Sequence, residues 1–229
     1  MDLTQKNWSK IVQEMNDVID EIYGKGNKEY YLQRVDNSEF PLPQKVVDFC
    51  RANRILYTFH RLPKLMKSIT WDWRFDFPSR KSGDFKWKYT TTLSVAKLCG
   101  AFCLFNSFEI YDLDPCAFDP RIDAEAHGGG PVTQLQDELC QLVMEWLEGE
   151  GRTLLRNWVY EQCVVGLENL EKKEMFEDHA EDVPPEAFYC SYYDVFFGCC
   201  EFESIRAAES YYAKREYDRK GKEARDGAL

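Results

Sequence analysis

Aromatic and polar residues alternate one by one on both sides of a Pro-, Ser- and Gly-containing loop at 78–84. A period of two is typical of a half-buried β-strand, and two such runs around a turn predict an antiparallel hairpin over about 71–91. One face of this hairpin would carry seven aromatic rings, namely Trp71, Trp73, Phe75, Phe77, Phe85, Trp87 and Tyr89. Because a pair of strands needs a covered face to be stable, these rings are predicted to pack against helices as core.

Elsewhere along the chain the apolar spacing favours helices. Residues 8–22 carry an apolar stripe that recurs every three or four positions, and a second helix is predicted to begin at Pro43 and to be interrupted at Pro63. Buried or amphipathic helices are also predicted for 93–108, 132–146 and 154–170. The predicted fold class is therefore α+β and mostly α-helical, with helices packed around one aromatic-faced β-hairpin (about 71–91).

Charge is distributed unevenly along the chain, whose net charge is −11. Residues 43–97 contain twelve Lys and Arg against four Asp and Glu, whereas residues 109–203 contain five against twenty-three. Turn-forming Asp-Pro pairs and three consecutive glycines cluster at 109–131. We therefore predict a basic, aromatic helical half at 1–108, an acidic Pro/Gly linker at 109–131 and an acidic helical half at 132–229, with one single domain as the alternative.

Composition indicates the cellular compartment that we expect for this protein. The sequence has no N-terminal apolar region typical of a signal peptide, and its most apolar stretch is too short to span a bilayer. The nine cysteines include no CxxC pair and fall largely among apolar residues, as reduced structural thiols do. We therefore expect a cytoplasmic protein that contacts no membrane and needs no cofactor.

The basic segment suggests a nucleic-acid-binding protein as one hypothesis. Single-stranded nucleic acids bind where positive charge accompanies aromatic faces, and the phosphate contacts supply much of the affinity. The candidate residues for binding RNA or DNA are Lys45, Arg51, Arg54, Arg61, Lys64, Lys67, Arg74, Lys86 and Lys88. The acidity of the whole chain argues against this hypothesis.

A metal-dependent nuclease is a second alternative. Asp76, Asp84 and Lys86 would share the charged face of the hairpin, where two carboxylates could hold a divalent metal and the lysine could lie near the attacking water. The pattern resembles that of restriction-type nucleases, although its spacing is short. The same residues also suit ordinary cross-strand ion pairs, so an enzyme is the less favoured reading.

The acidic half favours a different role. Its carboxylates lie on predicted helices, away from the apolar stripes, and such a surface can select a basic partner and accelerate association with it. The candidate protein-binding residues are Glu145, Glu148, Glu168 and Glu171. The sequence therefore favours a non-enzymatic binding protein of the inhibitor, immunity or antagonist type, which would act by occupying the surface of a basic protein.

Overall fold

A computed structural model describes residues 3–35, 38–60, 68–114, 121–127, 130–156, 161–169, 184 and 188–198. The chain forms two compact units, of which unit 1 comprises 1–36 with 158–229 and unit 2 comprises 37–157. Across the described residues, no helix combines the length and the apolar character that a membrane span requires.

The described residues of unit 1 form three helices and a small sheet. Helix α1 (Leu3–Ile19) continues into a π-helical turn (Asp20–Gly24), and α2 (Lys28–Arg34) follows. Strands β8 (Cys163–Glu168) and β9 (Tyr189–Ser191) pair antiparallel and lead into α5 (Tyr192–Phe196). The helical stripe predicted for 8–22 is confirmed, because α1 and the π-turn bury Ile11, Met15, Val18, Ile19 and Ile22.

Two kinds of contact stabilise unit 1, one between residues distant in sequence and one local helix cap. The Tyr192 hydroxyl of α5 donates a hydrogen bond to Asn16 Oδ1 of α1 at 2.7 Å. Asn27 caps α2, because its side chain accepts a hydrogen bond from the backbone N–H of Tyr30. Such a cap satisfies one of the N–H groups that the first turn of a helix leaves without an intrahelical partner.

Unit 2 is built on a seven-stranded sheet. The strands are β1 (Leu56–His60), β2 (Thr70–Asp76), β3 (Arg80–Ser82), β4 (Phe85–Ala96), β5 (Ala101–Asp112), β6 (Arg121–His127) and β7 (Thr153–Leu154). Their order is β1-β2-β4-β5-β6, and in addition β3 pairs with β4 and β7 pairs with β5. All the ladders are antiparallel except that of β7 with β5. The helices of this unit are α3 (Gln44–Ala52) and α4 (Gln134–Gly149).

The sheet of unit 2 has two chemically different faces. On what we call the inner face, the pairing of Trp73 with Leu93 and of Val95 with Phe102 brings apolar side chains together. These side chains pack against α3 and α4, whose fully buried core residues include Val46, Cys50, Leu139, Val143 and Leu147. The opposite, outer face carries Arg74, Lys88 and other polar residues. Alternation along the strands thus separates an apolar side from a polar one.

An extended segment at 38–43 lies on the inner face beside the tryptophans of β2. The Trp71 indole N–H donates to the carbonyl oxygen of Ser38 at 3.0 Å, and the Trp73 indole N–H donates to that of Phe40 at 2.9 Å. The Phe40 ring stacks on Trp71 and on Trp146 of α4, with centroid distances of 4.8 and 5.2 Å. The two indoles are two residues apart in β2, and the two carbonyls are two residues apart in the extended segment, so each indole binds one carbonyl.

The predicted mostly helical fold is wrong, because a large sheet dominates unit 2. The run 93–108, predicted as a buried helix, is the end of β4, a bend at 97–100 and most of β5. Here Ser94, Ala96 and Cys103 are buried as well as the inner-face residues, so both faces of the strands are covered. A strand buried on both sides loses its alternation and then looks like a buried helix in sequence.

Two further segments differ from prediction. The stretch 154–170, predicted as a helix, contains the end of β7 and all of β8 among its described residues. The predicted linker 109–131 includes the end of β5 and all of β6, both in the sheet. The antiparallel pairing of the two alternating segments is confirmed, because β2 pairs with residues 90–96 of β4. Residues 85–87 of β4 pair instead with β3, which lies between the two segments in the sequence. The loop residues therefore extend the sheet.

Candidate binding surface

One end of the inner face carries aromatic and apolar side chains that are only partly covered. The ladder of β4 with β5 pairs Tyr89 with Phe108 and Trp87 with Ile110, which places them on the inner face with Phe85. We call Phe85, Trp87, Tyr89, Phe108 and Ile110 the aromatic tip. Phe85 is 42% exposed and the others are half-buried. The ring centroids of Trp87 and Phe108 lie 6.2 Å apart, which is within the range of interacting aromatic pairs.

Helix α4 explains where the covered part of the inner face ends. Its Gln136 side chain is fully buried and donates from Nε2 to the Thr90 carbonyl oxygen at 3.1 Å. The same side chain accepts hydrogen bonds from the backbone N–H groups of Val132 and Thr133, which closes a capping box. The helix therefore begins beside Thr90, and its core residues pack on the part of the sheet beyond this point. Within the aromatic tip, Tyr89 packs against this core, whereas Phe85, Trp87, Phe108 and Ile110 do not belong to it.

The hairpin at the tip is set by a short turn. Ser82 pairs with Phe85, so Gly83 and Asp84 alone connect β3 to β4. Gly83 has a φ of +59°, which glycine adopts without steric cost and which the favoured hairpin turns need at this position. The Leu113 N–H donates to the Asp84 carbonyl oxygen at 2.7 Å, so the end of β5 holds the turn.

The outer face of the tip is charged. Lys88 lies opposite Glu109, and its Nζ is 4.1 Å from the centroid of the Tyr111 ring. The Tyr111 hydroxyl donates to Glu109 Oε2 at 2.7 Å. Lys86 pairs with Tyr111 in the same row. The outer face of the tip therefore carries mixed charge. The inner face carries the rings, with Arg80 opposite Trp87 and Asp112 opposite Phe85.

The predicted nucleic-acid residues lie in different layers of unit 2. Lys45 and Arg51 lie on α3, which packs on the inner face, and Arg54 follows that helix. Register places Arg74, Lys86 and Lys88 together on the outer face, whereas Arg61, Lys64 and Lys67 lie outside the described residues. The described cations thus form no single basic groove.

Several of these cations have carboxylate partners. Arg74 donates from Nε to Asp76 Oδ1 at 2.9 Å, and this hydrogen bond raises the pKa of the guanidinium. Lys45 bonds Glu145 of α4 at 3.0 Å, and Arg51 bonds Asp48 at 3.3 Å. Such neutralisation weakens the attraction that these groups could exert on phosphates.

The residues of the nuclease alternative are not brought together. Asp76 pairs with Thr90, and Asp84 precedes Thr90 by six residues in the chain. That separation corresponds to about 20 Å of strand, which is too far for two carboxylates to share one metal ion. Within the described ranges, His, Cys, Asp and Glu side chains form no group of three suited to a metal.

The predicted acidic residues fall in both units. Glu145 and Glu148 are exposed on α4 of unit 2, Glu168 belongs to β8 of unit 1, and Glu171 lies outside the described residues. The segment 132–151, which includes α4, has five carboxylates and no Lys or Arg. The acidic surface of α4 therefore begins beside the aromatic tip in the same unit.

Sequence reasoning missed the contribution of β5 to the tip. It placed the rings of β4 on a hairpin face but assigned Phe108 to a helix and Ile110 to a linker. The available signal was the alternation of Phe108 and Ile110 with the polar Ser107, Glu109 and Tyr111. This alternation is short, and it directly follows the segment whose strands are buried on both faces. For that reason it was not recognised as part of a strand.

No model of a known protein family matches the sequence, and no curated protein matches it either.

Proposed function

We propose that this chain is a non-enzymatic binding protein of the inhibitor, immunity or antagonist type, which occupies a surface of a partner protein. The observation that carries the proposal is the partly uncovered aromatic tip. Tryptophan, tyrosine and phenylalanine are enriched at the centres of protein interfaces, where burial of a few large rings supplies most of the binding energy. Exposed Val132, which lies just before α4, extends the apolar surface.

The charge next to the tip selects a basic partner. Five carboxylates and no cation lie in 132–151. The hydrogen bond from the Gln136 side chain to the Thr90 carbonyl oxygen fixes the start of α4 beside the tip. A partner with an apolar groove bordered by Lys and Arg would match both features. Complementary charge of this kind increases the association rate and excludes acidic competitors. Glu145 and Glu148 lie farther along α4, and Glu148 would contact the basic border, because Glu145 is already paired with Lys45 at 3.0 Å.

Nucleic acid is the second candidate ligand. The observation that favours it is the β3–β4 hairpin, where Arg80, Lys81, Lys86 and Lys88 stand against Asp84 alone. Register places Arg80 on the same face as Trp87, on whose ring a base could stack. Glu109, Asp112 and Asp114 at the end of β5 balance that charge locally, and the chain as a whole carries −11. Since phosphate binding depends on net positive charge, the protein partner is favoured.

Site-specific photo-crosslinking in cells that express the full chain tests this proposal. A photoreactive residue replaces Phe85 at the tip, Glu148 on α4 or, as a control, Leu32 of α2, which is also exposed. We expect protease-sensitive adducts at 85 and 148 and none at 32. The adducts at 85 should disappear when Trp87→Ala and Phe108→Ala are combined.

Other outcomes would change the conclusion. Adducts at 85 that are removed by nuclease would identify nucleic acid as the ligand. Adducts at 148 without any at 85 would place the binding surface on α4 alone. Equal, weak labelling at all three positions would refute a binding role for this end of unit 2.

A further inference from the structure

Strand β1 lies at one edge of the sheet in unit 2. In the part of the chain that the structure describes, its one neighbour is β2, with which it pairs over all five residues from Leu56 to His60. Four of these five residues are exposed, and Leu56 is 73% exposed. An edge strand presents backbone N–H and C=O groups that can pair with a further strand.

This edge lacks the features that usually prevent strand addition. Natural edges carry lysine, inward charges, proline or a bulge, whereas β1 consists of Leu, Tyr, Thr, Phe and His. Its ladder with β2 is regular throughout. At the other end of the strand order, the ladder of β6 with β5 shifts register between Ile110 and Tyr111. The edge at β1 is therefore the regular one, and it contains no lysine, arginine or acidic residue.

Strand β1 is also held firmly in place. The rings of Tyr57 and Phe59 pack against Trp73 of β2, with centroid distances of 6.0 and 5.0 Å. The Trp73 indole is itself fixed by its hydrogen bond to the Phe40 carbonyl oxygen. Tyr57 nevertheless stays 38% exposed, so its ring has surface left to bury. A preorganised edge loses little conformational entropy when another strand is added.

We propose that β1 pairs antiparallel with β1 of a second copy of this chain, joining two sheets in a twofold dimer. A twofold axis at Thr58 places Thr58 opposite Thr58, Tyr57 opposite Phe59 and Leu56 opposite His60. The two Tyr–Phe pairs then lie on the inner faces, next to Trp73 of each copy. Cross-strand aromatic and Thr–Thr pairs are favourable, and no like charges oppose each other within the strand.

The pattern of β1 selects a second copy over an unrelated strand. An added strand gains affinity from main-chain hydrogen bonds and specificity from the side chains opposite it, and β1 has no lysine, arginine or acidic residue with which to select a charged partner. The sequence aromatic–Thr–aromatic is instead complementary to itself, which is the requirement of an isologous interface. This interface is independent of the aromatic tip and of the function proposed above.

Analytical ultracentrifugation of the full chain over a wide concentration range tests the dimer. We expect a reversible monomer–dimer equilibrium that Leu56→Lys weakens by at least about tenfold, since tenfold corresponds to only about 1.4 kcal/mol. Leu32→Lys, a matched change at an exposed leucine of α2, should leave the equilibrium unchanged. A wild-type chain that is monomeric at all concentrations, or a dimer that Leu56→Lys does not weaken, would overturn the proposal.

Oxidative crosslinking tests the register. Directly opposed residues of an antiparallel pair have Cβ atoms about 4.5–5.5 Å apart. A small movement of the two edge strands brings them to the distance of about 3.5–4.5 Å that a disulfide needs, so a Thr58→Cys chain should form a disulfide between positions 58 of two copies. Peptide mass spectrometry identifies this bond against the background of nine native cysteines. The Leu32→Cys chain should give no corresponding bond. A dimer that yields no bond at position 58 would show that another surface mediates association.

Discussion

The two ends of strand β4 are built from similar side chains but have different environments. Leu93 and Val95 are completely buried beneath α3 and α4, whereas Phe85 is exposed and Trp87 is half-buried on the same inner face. Alternation along a strand assigns each side chain to a face but does not supply a cover for that face. The cover comes from helices that are distant in sequence. One end of β4 is therefore core, and the other is a surface suited to binding.

The largest effect should come from truncating a ring at the packed end. Phe75→Ala should lower the free energy of unfolding by about 3–5 kcal/mol, because the ring is fully buried and its loss leaves a cavity. Phe85→Ala should cost less than about 1 kcal/mol, because the ring is partly exposed. Urea unfolding of both variants measures the difference. Equal losses would show that the tip is core after all.

Helix α4 marks the border between the two ends, and Gln136 holds it there. Gln136→Ala should destabilise the protein by about 1–3 kcal/mol, because it leaves the Thr90 carbonyl and two backbone N–H groups at the start of α4 without this partner. Gln134→Ala is the matched control, since its side chain is exposed and bonds only Glu138. Thermal unfolding compares them, and similar melting temperatures would contradict the assignment.

A smaller effect should distinguish the tryptophans. Trp73→Phe removes the indole N–H that donates to Phe40 and should cost about 1 kcal/mol in addition to the lost ring area. Trp87→Phe at the tip removes no hydrogen bond that the structure shows, so it should change stability less. Chemical unfolding measures both. A larger loss for Trp87→Phe would mean that the tip contributes more to folding than its exposure indicates.

Alkaline pH should weaken the packed end and have no effect near neutrality. Burial raises the pKa of the Cys50 and Cys140 thiols from 9.0 to about 11. The unfolded chain therefore ionises these thiols first, so their contribution to stability is intact below pH 9 and is lost as pH rises towards 11. The urea midpoint should fall over this interval. It should fall less in a Cys50→Ala, Cys140→Ala variant, and an identical fall would exclude these thiols as the cause.

The sequence predicts strands where one face of a strand stays polar. Trp71, Trp73 and Phe75 alternate with charged residues because the outer face of β2 remains partly exposed, and that prediction is confirmed. The run from Leu93 to Phe108 was misread because tertiary contacts cover both of its faces. The helix predicted from Pro43 ends ten residues earlier than the proline at 63 suggests, at Ala52.

Strand β1 was missed for a local reason. Helix α3 ends without glycine or proline, because Arg54 itself takes the left-handed conformation with φ of +57°. The Ile55 N–H then donates to the Cys50 carbonyl oxygen and turns the chain into β1. Left-handed backbone at a non-glycine residue is uncommon, so the residue types give a weak signal here, the C-cap Asn53 directly after α3. Helices that are distant in sequence also decide which end of a sheet face is covered, so local patterns cannot predict that cover.

The side chain of Arg152 has a consequence for the order in which unit 2 folds. Its Nη1 donates to the Ala96 carbonyl oxygen across 56 residues of sequence, where β7 joins β5 in parallel. The β3–β4 and β4–β5 hairpins need only neighbouring segments and can form early, because short loops close at a small entropic cost. The parallel strand and its arginine must wait until α4 has been laid across the sheet. We therefore expect the core to close last, from the C-terminal side of unit 2, after the hairpin at the tip has formed.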